Sequence, residues 1–216
     1  SPQASTASGR PMLPELLNSI GGTGVITVGA LLGMAAHLEG KVASVLDMTG
    51  MSQKNGSVTS HIRVVEKVSK LRAQRIPTGE ADLILGCDIL TAGQHDAISK
   101  MRAGRTRAVI NSHEQPTGAF AKNPDWQFPL ESTERLISDS VGGNVDFVDA
   151  TKLATALMGD SIATNLFMLG FAFQKGAIPL SEAALLRAIE LNGVAIDANK
   201  KAFLWGRRAA VDLKRV

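Results

Sequence analysis

A chain of 216 residues, 44% hydrophobic and 20% charged, can bury a core without staples, so one domain spanning 13–216 is expected behind a flexible lead-in or linker, 1–12. With 4% aromatic residues, no tyrosine and a net charge of only +3, it offers neither a stacking platform nor a basic footprint, and no nucleic-acid partner is expected. A single cysteine, Cys87, excludes an internal disulfide and a Cys-ligated cluster or zinc site made by this chain alone. The lack of a long apolar run or a leader predicts no membrane partner and a cytoplasmic location.

Leu13 to Ile20 is a short apolar strand. It runs into Gly21-Gly22-Thr23-Gly24-Val25, a turn whose glycines bring bare N–H groups close to a ligand. Gly24 to His37 follows with Val25, Val28, Leu31, Leu32, Ala35 and Ala36 at helical spacing, and Gly40 fits its C-terminal turn. Gly29 and Gly33, four apart, mark a helix face that a neighbour approaches closely. Val42 to Met48 reads as a buried parallel strand ending near Asp47, completing a strand–helix–strand unit. The polar loop 49–57 carries Gln53, Lys54, Asn55 and Gly56. Val58 to Val65 alternates, with Val58, Ser60, Ile62 and Val64 on one face and Thr59, His61, Arg63 and Val65 on the other, and is expected to be half exposed.

Leu83 to Leu90 reads as a buried strand ending at Gly86, Cys87 and Asp88, with Thr91 capping a helix that reaches Met101. Ala108 to Asn111 is the next strand, and a short strand is expected at Trp126 to Leu130. A helix start is expected at Ser132-Thr133-Glu134, and Asn144 to Asp149 is the last strand. The final third is helical: 150–159, 161–174, 181–192 and 194–208, with Gly159, Gly176 and Gly193 as breaks. The fold class is therefore α/β, a Rossmann-like three-layer, mostly parallel sheet with a helical C-terminal segment.

Unpaired N–H groups at a helix start attract a phosphate-sized anion, and Lys54 in the second loop would reach the same carboxyl edge of the sheet. A plain strand-to-helix corner and a solvated loop lysine are the competing readings. A dinucleotide fingerprint fits poorly, because Thr27 stands where the third glycine should and Gly29 falls two places late. Cys87 reads more simply as a small buried thiol, and His37, His61, His95 and His113 as surface or loop histidines without metal-ligand spacing. Asn111-Ser112-His113-Glu114 is the remaining polar cluster.

The run Gly21-Gly22-Thr23-Gly24-Val25 with Gly29-Ala30-Leu31-Leu32 and Ala35-Ala36, followed by 51–63 (MSQKNGSVTSHIR), resembles the gamma domain of 2-oxoacid:ferredoxin oxidoreductases, closest to the indolepyruvate:ferredoxin oxidoreductase type. The resemblance covers roughly residues 16 to 200 and is strongest over 16–65. It implies a component of a thiamine diphosphate-dependent enzyme that decarboxylates a 2-oxoacid to an acyl-CoA, inactive as an isolated chain. Thiamine diphosphate with Mg2+ and [4Fe-4S] clusters would sit in partner domains or subunits, through which ferredoxin is reached indirectly. Coenzyme A would contact Gly21, Gly22, Thr23, Gly24, Val25, Gln53, Lys54, Asn55 and Gly56. Many relatives carry Arg-Gly-Gly in the second loop where this chain has Lys54-Asn55-Gly56, which keeps a charge and loses the bidentate guanidinium. No catalytic residue and no metal ligand are assigned. A non-catalytic interaction scaffold within the complex and a free-standing dinucleotide-binding reductase are the alternatives.

Overall fold

The computed structural model describes residues 15–20, 24–49, 58–114, 125, 127 and 129–216. A six-stranded sheet runs in the order β2-β3-β1-β4-β5-β6. Its strands are β1 (Glu15–Ile20), β2 (Val42–Thr49), β3 (Val58–Val65), β4 (Leu83–Gly86), β5 (Arg107–Asn111) and β6 (Val145–Val148). β1, β4, β5 and β6 pair in parallel, while β3 is antiparallel to both β1 and β2. The helices are α1 (Gly24–Leu38), α2 (Ile89–Ala92), α3 (His95–Ile98), α4 (Leu130–Ser140), α5 (Ala150–Met158), α6 (Thr164–Gln174), α7 (Glu182–Asn192) and α8 (Ile196–Val211).

Strand alternation sends successive side chains to opposite faces, and two cores result. Ile62, Val64, Leu83, Leu85 and Val109 join Val28, Leu31, Leu32, Phe167 and Phe203 under α1 and α6 to α8. Ile84, Ala108 and Ile110 point the other way, against Ile89, Ala92, Ala97 and Ile137 of α2 to α4. Both faces are covered, which is the three-layer arrangement the alternation of strands and helices predicts.

The hairpin departs from the expected strand–helix–strand unit. β2 does not lie beside β1; β3 is inserted between them, and β2 becomes the edge strand. Apart from Ser44, the run 42–48 is thus half-buried at best, with Val45 36% exposed. β3, expected to be half exposed, is central and covered on both faces, with Ile62 and Val64 on one side and His61 and Arg63, 2% and 3% exposed, on the other. The alternation is as expected, but polar residues on the second face conceal its burial in the sequence. The positions of Gly29 and Gly33 agree with a close approach: a Cβ on either would stand 3.4 and 3.3 Å from Val45 of β2.

Boundaries differ where a cap was misplaced. Asp88, not Thr91, caps α2 by accepting from the Leu90 N–H at 3.0 Å, and the expected single helix to Met101 is two short helices, α2 and α3. α4 starts at Leu130 after Pro129, earlier than Ser132, because Thr133 turns its hydroxyl back to the Pro129 carbonyl at 2.6 Å instead of capping. Leu130 is therefore helical, and Trp126 and Phe128 lie outside the described residues. The C-terminal helices fall where their spacing puts them, with Ser181 capping α7 through the Ala184 N–H at 3.1 Å.

Candidate functional site

Register aligns one row of residues across the whole sheet. Met48 of β2 faces Thr59, Thr59 faces Ile20, Ile20 faces Gly86, Gly86 faces Ile110, and Ile110 faces Phe147. The connections 21–23, 50–57 and 87–88 all leave from this row. Adjacent strands lie about 4.8 Å apart, so the anchor of the glycine turn at Ile20 is about 5 Å from Thr59 and about 10 Å from Met48, the strand positions that flank the Lys54 loop.

The same edge contains a topological switch point. From β1 the chain passes through α1 to β2 on one side, whereas β4, on the other side of β1, leads on to β5. Connections that part in this way leave a crevice outside the carboxyl ends of the two strands, where open α/β sheets bind ligands. Gly86 shapes the β4 side, since a Cβ there would stand 2.7 Å from Ile110 Cδ1 and 3.0 Å from Ala92 Cβ. Cys87 and Asp88 follow it; Asp88 is occupied by capping, receiving Leu90 N–H and the Thr91 hydroxyl at 3.0 and 3.1 Å.

Of the residues expected to bind a ligand, Gly24 and Val25 begin α1, and Val25 is fully buried. Its side chain belongs to the core and leaves only its backbone for a ligand. Gly21, Gly22, Thr23, Gln53, Lys54, Asn55 and Gly56 lie outside the described residues. Asp47, which by its distance from the glycine turn is where a ribose-binding acid would stand, sits two strands from β1 and accepts from the Ser60 hydroxyl. A dinucleotide fold needs that acid on the strand beside the glycine turn, and the insertion of β3 removes it from there.

A second polar group on this edge joins β4, β5 and β6. Asn111, 4% exposed, donates through Nδ2 to the Cys87 carbonyl at 3.2 Å and to Thr151 Oγ1 at 2.9 Å. Its Oδ1 accepts from the N–H groups of His113 and Ala150 at 3.2 and 3.0 Å. His113 Nδ1 in turn lies 2.9 Å from Asp149 Oδ1, and Asp149 caps α5 by accepting from Lys152 N–H at 3.0 Å. The sequence singles out Asn111 to Glu114 but does not reveal Asp149 as the partner. Its signal was an acid directly between a strand and a helix, the position of an N-cap. Among the described residues, no three His, Cys, Asp or Glu side chains gather where a metal ion could be held, and no helix is long and apolar enough to cross a membrane.

Helices on both faces of a mostly parallel sheet, with a switch point beside β1, define a Rossmann-like α/β protein. The chain belongs to the pyruvate ferredoxin/flavodoxin oxidoreductase family, whose model matches residues 16–209. It is 30% identical over 200 residues to the indolepyruvate oxidoreductase subunit IorB of Pyrococcus horikoshii, covering 92% of this chain and 96% of that one. The gamma subunit of a keto/oxoacid ferredoxin oxidoreductase from Geobacter sulfurreducens has the same fold, with a TM-score of 0.59 at 19% identity, over 93% of this chain and 99% of that one. So does 2-oxoglutarate:ferredoxin oxidoreductase from Magnetococcus marinus, solved with 2-oxoglutarate, coenzyme A and succinyl-CoA bound. There the TM-score is 0.65 at 16% identity, and the match covers 94% of this chain but 32% of the other. Relatives of this chain are thus subunits of oxidoreductases acting on 2-oxoacids.

Proposed function

We propose that the chain is the gamma component of an indolepyruvate-type 2-oxoacid:ferredoxin oxidoreductase, and that it helps complete the active site by binding coenzyme A. The register Met48–Thr59–Ile20 carries this reading, because it sends the glycine turn and the Lys54 loop out from one edge, beside the switch point. Backbone N–H groups of Gly21 to Val25 would meet one phosphate of the coenzyme, and Lys54 would add a mobile positive charge, with Gln53, Asn55 and Gly56 shaping the loop around it. Coenzyme A supplies the thiol that accepts the acyl group. With Cys87 as its single cysteine, the chain would rely on partner subunits for [4Fe-4S] clusters, and equally for thiamine diphosphate with its Mg2+. Ferredoxin would be reduced through those subunits, in the cytoplasm, and the isolated chain would show no turnover.

The test uses the enzyme assembled from this chain and its thiamine- and cluster-binding partners. Losing a charge-assisted contact to phosphate weakens binding by about 1.5–3 kcal/mol, so Lys54→Ala should raise KM for coenzyme A roughly 10- to 100-fold. Dye reduction by the 2-oxoacid without coenzyme A should be unchanged. An unaltered KM combined with weaker subunit assembly would reject coenzyme binding in favour of a scaffold role.

A further inference from the structure

We propose that the covered face of the β2–β3 hairpin holds one small inorganic anion, of chloride size, between the guanidinium of Arg63 and the hydroxyl of Ser44. This site lies apart from the coenzyme reading and does not depend on it. Ser44 and Arg63 are register partners across the two strands, which places both side chains on the same face with Cβ atoms about 5 Å apart. Both are withdrawn from water, at 7% and 3% exposure. Among the described residues, Arg63 Nε and Ser44 Oγ are each buried without a hydrogen-bond partner. Among the described residues the guanidinium makes one long bond, from a terminal N–H to the Arg75 carbonyl at 3.4 Å.

A buried guanidinium needs a counter-charge as well as acceptors, since an uncompensated ion inside a protein is strongly unfavourable. No carboxylate of the described residues forms an ion pair with it; Glu80 attracts it from beyond that distance, and Arg72 repels it. The surroundings add further positive charge. His61, two residues along the same face, feels Lys100, Arg75 and Arg63, opposed by Asp96. A water molecule could accept from Arg63 Nε and meet Ser44 Oγ, but it would leave that positive potential in place. A small anion answers the charge and both orphaned groups together. Two donors suit a monovalent ion better than a phosphate, which needs more partners.

The position separates this site from the carboxyl edge. β3 runs from that edge at Thr59 towards Val65, so Arg63 lies four residues, about 13 Å, further in. The bond from Arg63 to the Arg75 carbonyl, and that from Ile76 N–H to His61 Nδ1 at 2.9 Å, tie the connection between β3 and β4 to the sheet. The anion would fasten this connection, and stability of the full chain would depend on it.

Thermal unfolding of the full chain tests this at constant ionic strength, with sodium chloride exchanged stepwise for sodium gluconate. Saturable binding at ten times the dissociation constant should raise Tm by about 3–5 °C. Ser44→Ala, which removes one donor and leaves the charge, should weaken the chloride dependence several-fold, and Arg63→Met should abolish it. Crystals grown in bromide should show an anomalous peak between the two side chains. A Tm that follows ionic strength alone, a chloride response undiminished in Ser44→Ala, or an ordered water with no bromide peak would each overturn the proposal. The bromide experiment decides the matter even if Arg63→Met does not fold.

Discussion

Gly170 of α6 and Gly206 of α8 face one another's backbones: a Cβ on Gly170 would overlap the Phe203 carbonyl oxygen, and one on Gly206 would overlap that of Phe167. The two helices cross at a separation that only glycine allows. Phe167 and Phe203, both fully buried, fill the core on either side of the crossing. Because the obstruction is backbone, no rotamer change relieves it. Gly170→Ala and Gly206→Ala should each cost at least about 3 kcal/mol in denaturant unfolding. Gly33→Ala is the contrasting case. Its Cβ would stop 3.3 Å from a Val45 methyl on the edge strand, and the gain in helix propensity, up to about 1 kcal/mol, should nearly cancel the crowding.

His61 makes stability depend on pH in the acid range. Its Nδ1 accepts from Ile76 N–H at 2.9 Å, so this nitrogen must be unprotonated. Burial first, then the charges of Lys100 and Arg75, push its pKa down from 6.5 to about 4, against the pull of Asp96. The folded state thus binds the proton less readily than the unfolded chain. Stability from this group is complete above pH 6.5 and declines as pH falls towards 4, by a total on the order of 3 kcal/mol. Urea unfolding at pH 7 and pH 4.5 measures the difference. His61→Gln, which keeps an acceptor and cannot titrate, should flatten that part of the profile.

Asp149 has two hydrogen-bonding roles that substitution can separate. One carboxylate oxygen receives Lys152 N–H at 3.0 Å and lies 2.9 Å from His113 Nδ1. Asp149→Asn keeps an oxygen for the helix cap, and should cost less than the roughly 1 kcal/mol expected of Asp149→Ala. Both variants weaken the hold on the His113 ring. NMR relaxation of the His113 ring should show it more mobile in Asp149→Ala than in the parent, because the ring loses its partner at 2.9 Å. Equal ring mobility in the variants and the parent would mean that the contact is not populated in solution.

Much of this architecture is legible from local pattern, and the parts that are not have identifiable causes. The helical C-terminal third follows from three-to-four spacing punctuated by Gly159, Gly176 and Gly193, and the observed α5 to α8 match it. The close approach at Gly29 and Gly33 could also be read, because small residues on one face of a helix have few other uses. Strand order could not. A run such as 42–48 looks alike whether it pairs in parallel beside β1 or antiparallel at the edge, and the reversal in 50–57 leaves no mark in periodicity. The burial of His61 and Arg63 was hidden because their partners, the backbone of Ile76 and Arg75, come from a connection with no periodic signal. The Gly170–Gly206 crossing escaped for a related reason: each glycine is unremarkable until the two helices are known to meet. At the carboxyl edge the two loop motifs were legible, whereas their common level depends on register, which only pairing supplies.

Asn111 closes that edge, and its replacement tests how far the strands behind the switch point are held by one side chain. All four of its hydrogen bonds have fixed sense, since the N–H groups of Ala150 and His113 can only donate and the Cys87 carbonyl can only accept. Asn111→Asp retains the acceptor for both N–H groups but turns a carboxylate oxygen towards the Cys87 carbonyl. Asn111→Ala removes the acceptor of the buried Ala150 N–H and one donor to the Cys87 carbonyl. Each unsatisfied group costs about 1–3 kcal/mol, so either variant should lose about 2–4 kcal/mol of stability. The loss should be local before it is global: amide hydrogen exchange at His113 and Ala150 should accelerate much more than in the centre of β4 and β5. Because Cys87 borders the crevice beside β1, the proposed coenzyme role predicts that the assembled enzyme has a higher KM for coenzyme A in Asn111→Ala than in the parent. Unchanged exchange at both amides would show that the ends of β4, β5 and β6 are held without Asn111.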